Sequence, residues 1–257
     1  MELFKLTRPI IIAHRGASAY APENTLASFE LALQQGAEAI ELDAKLSADG
    51  KVMVIHDQSV DRTTSHTGRV KNLTCEKMQK MDAGSHFDIA FKEARIPTLE
   101  EVFNKVGHNI FINVELTNYA SLTDDLPGKV ADLVRRYELA ERVFFSSFNP
   151  IALTRIRRLL PEAPIGLLAL PGWAGGWARY WPGRMISYDS LHVELRDVKA
   201  SLVQRTHHRG KKFFVYTVNQ EKDMRRLFNL GVDGIFSDAP VLARQVIQEM
   251  GETDDTI

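Results

Sequence analysis

Cysteine is nearly absent: Cys75 is the single one in 257 residues. An internal disulfide is therefore impossible, and a reducing, cytoplasmic setting is expected. Excess charge of either sign is absent too, with 32 Lys and Arg against 33 Asp and Glu. A nucleic-acid partner would require a basic face, so none is expected. No apolar run reaches the roughly 18 residues of a transmembrane helix. The stretch MELFKLTRPIIIAHRG has a short apolar run and no small-residue cleavage site after it, which makes a poor secretory leader. No Gly-x-Gly-x-x-Gly follows a strand pattern, leaving a dinucleotide site without support. Internal repeats and low-complexity tracts are also missing.

What is present is an alternation of short β-branched runs with longer helical patterns. The expected strands are 10–14, 39–45, 110–115, 143–147, 165–169, 191–195, 213–217 and 234–237. Helical spacing fills most of the gaps, at 24–35, 124–137, 150–160, 199–209, 220–230 and 241–250. Strands followed by helices at this length predict a (β/α)8 TIM barrel, with a doubly wound open sheet as the alternative. Residues 1–250 are expected to form one domain. A polar insertion at about 57–96, with a helical piece at 74–81, should lie over the barrel mouth. Residues 251–257 read as a flexible acidic tail.

One stretch carries chemistry on a strand that otherwise looks apolar: IELDAKLSADGKVMVIHD, residues 40–57. Strand side chains alternate faces, so Glu41, Asp43 and Lys45 share one. Asp49-Gly50 favours a two-residue hairpin turn. With that turn Ala48 pairs with Lys51, and Asp43 falls opposite His56. His14 and Arg15 end the run IIIAHRG, and Glu115 shares a face with Asn113 and Thr117 in NIFINVELTN. Barrel enzymes keep their sites at the carboxyl ends of the strands, so His14, Glu41, Asp43, His56 and Glu115 are expected to converge there. Three carboxylates together repel one another unless a cation joins them. All-oxygen ligands suit Mg²⁺ or Ca²⁺. Two histidines can act as acid and base near neutral pH. Arg15 can grip an anionic oxygen. Metal, arginine and histidines together point to phosphoryl chemistry on a diester.

Each residue alone has a plainer reading. A lone strand-end histidine is more often structural, and a lone carboxylate is more often a cap or a salt-bridge partner. Burial of an unpaired Glu-x-Asp on one strand is the costly feature that structure alone does not explain. His66, His86, His108, His192, His207 and His208 read as structural or solvated, and Cys75 as a packing or surface residue. Lys45 either reaches the phosphate or is a solvated lysine on an exposed hairpin. Trp173, Trp177 and Trp181, four apart in PGWAGGWARYWPG, would follow one another along a helix face. They either pack that helix onto the barrel or line the alcohol side of the site.

HRGASAYAPENTLASFELAL, IELDAKLSADGKVMVIHD, INVEL, VYTVN and GVDGIFSDAP resemble the successive motifs of the glycerophosphodiester phosphodiesterases, in the same order. The resemblance implies a barrel with an insertion after its second strand and a divalent metal. It implies hydrolysis of a small-molecule glycerophosphodiester to glycerol 3-phosphate and an alcohol. His14 and His56 match the acid–base pair, Glu41, Asp43 and Glu115 the metal ligands, and Arg15 the phosphate-binding arginine. Two positions depart from the pattern. Thr117 stands where the family usually has lysine, and Tyr216 where it often has tryptophan. The missing lysine would weaken the field on a phosphate. Rival readings are a lysophospholipid or phosphoinositide phosphodiesterase on the same barrel, or a catalytically silent barrel that binds phosphodiesters.

Overall fold

The computed structural model describes residues 1–7, 9–119, 121, 123–180 and 186–254. Eight parallel strands close into a barrel: β1 (Ile10–Ala13), β2 (Ala39–Leu46), β4 (Phe111–Leu116), β5 (Val143–Ser147), β6 (Ile165–Ala169), β7 (Ser190–Glu194), β8 (Lys212–Tyr216) and β9 (Gly234–Ser237). A short strand, β3 (Val52–Val54), runs antiparallel to β2. β1 pairs with both β9 and β2, and that closure excludes the open sheet. The helices α1 (Leu26–Gln34), α2 (Cys75–Gln79), α3 (Leu99–Val106), α4 (Leu126–Arg136), α5 (Pro150–Leu159), α6 (Gly176–Tyr180), α7 (Ala200–His208), α8 (Glu221–Asn229) and α9 (Pro240–Asp254) complete the chain.

Local sequence accounts for the helix starts. Thr25 before α1 and Thr98 before α3 each close a capping box, with Ser28 and Glu101 respectively. The outer faces of the strands and the apolar stripes of the helices make the larger core. A smaller one fills the barrel's interior, with Ile10, Ile12, Ala39, Phe144, Phe214 and Phe236. Phe4, from the 3₁₀ turn Glu2–Lys5, packs edge-on to Phe144 and Phe214 at 5.4 and 5.8 Å. His192 lies in this interior against Phe214 and Phe236, in a strand rather than in the polar or helical context expected for it. Burial holds its imidazole down to about 3, so it is neutral and structural. Gly166 makes room for it, since a Cβ there would sit 2.3 Å from the ring.

The hairpin differs from expectation by one residue. Ala44 pairs with Val54 and Leu46 with Val52, so the loop holds three residues, Ala48 to Gly50. Gly50 takes φ +73°, and Ser47 Oγ accepts the Lys51 N–H while donating to Asp49. A three-residue loop with glycine in the left-handed position is a stable alternative to the two-residue turn. Asp43 consequently faces Ile55, not His56. α9 continues to Asp254. Residues 255–257 lie outside the described residues.

Between β3 and α3 the chain carries α2 and two 3₁₀ turns, Val70–Asn72 and Ile89–Phe91. This segment has its own small core of Met53, Ile55, Val60, Val70, Met78, Met81, Ala83 and Ile96, with Cys75 packed beside it.

Candidate active site

Inward-facing positions alternate along each strand, so the last inward residues form a ring at the carboxyl end. On one side the ring holds Asp238, His14, Glu41, Asp43, Lys45, Glu115 and Thr117. On the other it holds Phe148, Leu170, Glu194 and Tyr216. The first half is charged and the second is largely apolar.

His14 leaves β1 with its N–H still bonded to Ser237. Its Nδ1 lies 2.7 Å from Asp238 Oδ1. Burial pushes the Asp238 carboxyl up, but His14, Asn219 and Ser18 outweigh it and hold it below the ordinary range. Arg15 and Gly16 then turn the chain sharply, at φ +55° and +82°. A Cβ on Gly16 would approach Ser28 Oγ to 2.4 Å, so glycine is required. The turn aims the Arg15 N–H at Glu41 Oε2, 2.9 Å away.

Glu41, Asp43 and Glu115 each present an oxygen within 4.8 Å of the others. The β2–β4 register sets Asp43 directly across from Glu115. Burial, with the neighbouring carboxylates next, raises Glu41 well above its ordinary value and Glu115 to about 8. Asn24, held at φ +57°, donates to Asp43 Oδ2 at 2.9 Å, and the Tyr119 hydroxyl donates to Glu115 Oε1 at 2.5 Å. Arg15 Nε is 3.5 Å from Asp43 Oδ2 but is buried without a hydrogen-bond partner among the described residues. The three clustered carboxylates are buried or half-buried, and Glu41 and Glu115 are pushed toward protonation; such a set fits a hard divalent cation.

Lys45 is not a solvated hairpin lysine. It is 5% exposed, and its Nζ donates to Thr117 Oγ1 at 2.6 Å. Thr117 in turn donates to the Ala44 carbonyl. Burial draws the ammonium below its ordinary value, against the pull of Asp43, Glu115 and Asp57. The residue expected two steps past Asp43 and the threonine two steps past Glu115 are thus one hydrogen-bonded unit across adjacent strands.

His56 sits just past β3, with its Nδ1 2.6 Å from Asp57 Oδ1. It reaches the mouth by the bend after the hairpin, not by the cross-strand pairing with Asp43 that the sequence suggested. Arg62 and then His56 hold Asp57 down to about 2, so it is ionised. Asp57, Asp238, Asn24, Tyr119 and Arg62 were not singled out from sequence. Asn24, Asp57 and Asp238 lie within the motifs quoted above, whereas Tyr119 and Arg62 carry no such signal.

In the apolar half, Tyr119, Phe148 and Tyr216 make successive edge-on contacts at 5.8 and 6.2 Å. The segment after β6 is not one helix: a 3₁₀ turn, Gly172–Gly175, precedes α6. Trp173 is 94% exposed and Trp177 39%, so neither is a core residue. Trp181 lies outside the described residues.

Residues 14–242 match the glycerophosphoryl diester phosphodiesterase family. A glycerophosphodiester phosphodiesterase of Caldanaerobacter subterraneus subsp. tengcongensis is 39% identical over 245 residues, covering 95% of this chain and 100% of its own. A phosphodiesterase of Oleispira antarctica, solved in complex with the product sn-glycerol-3-phosphate, superposes with a TM-score of 0.87 at 31% identity. That match covers 96% of this chain and 99% of the other. A glycerophosphodiester phosphodiesterase from Agrobacterium tumefaciens superposes at 0.78 with 30% identity, over 91% and 98% of the two chains. The inward carboxylates, the histidines at the mouth and these likenesses agree: the chain is an enzyme of the glycerophosphoryl diester phosphodiesterase family.

Proposed function

We propose that this enzyme hydrolyses glycerophosphodiesters to glycerol 3-phosphate and an alcohol in a metal-dependent reaction, with His14 and His56 as the acid–base pair. The observation that carries this reading is the pairing of each histidine. Asp238 and Asp57 occupy the two Nδ1 atoms, and a carboxylate there fixes the tautomer that leaves Nε2 for proton transfer. One imidazole takes a proton from the nucleophile and the other gives one to the leaving alcohol oxygen.

Glu41, Asp43 and Glu115 would hold Mg²⁺ or Ca²⁺, which when bound supplies positive charge for the phosphoryl oxygens. Arg15 offers its unpartnered Nε–H to one of those oxygens. Lys45 offers the Nζ donors that Thr117 leaves unused. With three carboxylates, a divalent ion, Arg15 and one protonated histidine, the formal sum is about +1. Lys45 raises it to about +2, against a diester of about −1. This supports an active enzyme over a silent barrel. Trp177, beside the mouth on α6, would line the alcohol side. The single cysteine supports a reducing, cytoplasmic setting, and no helix among the described residues is long and apolar enough to cross a membrane.

A second reading has one observation behind it. Leu170, Trp173, Trp177 and Tyr180 form an exposed apolar rim after β6, which suits a lysophospholipid chain.

The test is release of glycerol 3-phosphate from a panel of glycerophosphodiesters and lysolipids, with Mg²⁺, Ca²⁺ or chelator. Turnover should vanish in chelator and return with metal. His14→Ala and His56→Ala should each cost roughly 10²-fold or more in kcat/KM, the magnitude usual for positioned proton transfer. Full turnover in chelator would rule out the metal assignment, and a histidine whose loss leaves the rate within a few-fold is structural.

A further inference from the structure

Arg62 lies in the segment after β3 and is not adjacent in sequence to any metal-ligand candidate. Its guanidinium clamps two carboxylates at once. Nη1 and Nη2 donate to Glu23 Oε2 and Oε1 at 2.6 and 2.8 Å. Nε and Nη2 donate to Asp57 Oδ2 and Oδ1 at 2.8 and 3.2 Å. Each carboxylate also holds a group of the site. Glu23 Oε1 accepts from Arg15 Nη1 at 3.0 Å, and Asp57 Oδ1 meets His56 Nδ1 at 2.6 Å. Five side chains therefore form an unbroken series of contacts: Arg15, Glu23, Arg62, Asp57, His56.

We infer that Arg62 is a positioning residue that sets Arg15 and His56 at the same time, and so couples phosphate binding to proton transfer. The inference rests on the roles proposed above for those two groups. Its physical content is geometric. A lysine is a point charge and cannot bind two carboxylates in forked fashion, whereas a planar guanidinium can. Without Arg62, Glu23 would be left to Arg15 alone and would draw that guanidinium away from an incoming phosphate. Asp57 would also lose the contact that fixes its plane, and His56 would gain rotational freedom. An exposed ion pair contributes little to stability, and Arg62 is 47% exposed. Its two forked contacts are therefore better explained by orientation than by folding energy. Burial pushes Glu23 up, yet Arg62 and Arg15 hold it below its ordinary range, so it stays a carboxylate.

The test uses the full chain loaded with metal. kcat and KM for glycerophosphoglycerol, and the affinity for glycerol 3-phosphate, are compared in wild type, Arg62→Ala, Asp57→Asn and the double variant. Arg62→Ala should lower kcat roughly 10- to 100-fold, as losses of orienting partners usually do, and should weaken glycerol 3-phosphate binding. Combining it with Asp57→Asn should add less than about twofold to the kcat loss, because both break the same link. Free guanidinium at millimolar concentration should restore much of the Arg62→Ala rate, where equal sodium chloride does not. If Arg62→Ala does not fold, Arg62→Lys takes its place, with kcat and glycerol 3-phosphate affinity both lowered, because a point charge cannot hold the two carboxylates at once. A kcat within about twofold of wild type in a folded Arg62 variant overturns the inference. So does a loss fully additive with Asp57→Asn and untouched by guanidinium. A wild type inactive on every diester would instead overturn the proposed function.

Discussion

Lys45 shows what one buried cation can do at this site. Its partner among the described residues is a neutral hydroxyl, which uses only part of its donor capacity. A buried ammonium so placed is costly unless an anion arrives to complete its bonds. Lys45→Met should therefore raise KM for a glycerophosphodiester roughly 10- to 100-fold, since hydrogen bonds to charged groups contribute about 1.5–3 kcal/mol. Thermal stability should hold or rise, because an apolar side chain of similar length removes a buried charge. Steady-state kinetics and a melting curve on the same preparation check both parts. An unchanged KM would make Lys45 a structural partner of Thr117 and nothing more.

At the scale of elements, the segment after β6 separates packing from function. The spacing of its tryptophans suggested a helical stripe, but the chain breaks into a 3₁₀ turn and a short helix. Glycines at 172, 175 and 176 disfavour a continuous helix. Arg179 pins the turn instead, donating to the carbonyls of Leu170 and Gly172 and to Asp197. Trp177→Ala should lower kcat/KM for glycerophosphocholine more than for glycerophosphoglycerol, by roughly 3- to 30-fold if a ring–cation contact is lost. The melting temperature should move by only about 2 °C, as for other half-exposed positions. Equal losses on both substrates would remove the tryptophan from the alcohol side.

At the scale of the whole molecule, the carboxylate cluster ties stability to pH and, if it holds the proposed ion, to metal. Glu115 is raised to about 8 from an ordinary value of 4.5, and Glu41 is raised as well. Between those limits the folded state binds more protons than the unfolded state. The metal-free protein should therefore lose stability as pH rises from about 4.5 to about 8, not gain it. A divalent ion held by the cluster would reverse this by taking the charge of the ionised carboxylates, and its binding should release protons. The difference in melting temperature between metal-loaded and metal-free protein should widen from pH 5.5 to pH 8. Calorimetry in two buffers of different ionisation enthalpy should show proton release at pH 7. A constant difference with no proton release would mean that these carboxylates are not the metal ligands.

The sequence by itself determined the eight barrel strands and the helices between most of them, and it named Glu41, Asp43 and Glu115 as candidates. Alternation on β2 and β4 was enough to place Glu41, Asp43 and Glu115 on inward faces, because strand periodicity is local. The same periodicity put Lys45 on that face but left its environment open, and only the β2–β4 register brought it to Thr117. Register also decided against the cross-strand pairing of Asp43 with His56. A one-residue change in loop length shifts every pair, and the choice between loops rests on Ser47, Asp49 and Gly50 acting together. The contact of Asp238 with His14, and that of Arg62 with Glu23, appear only in the folded chain. His14 and Asp238 are separated by 224 residues, and nothing local in a chain reports a contact made by closure.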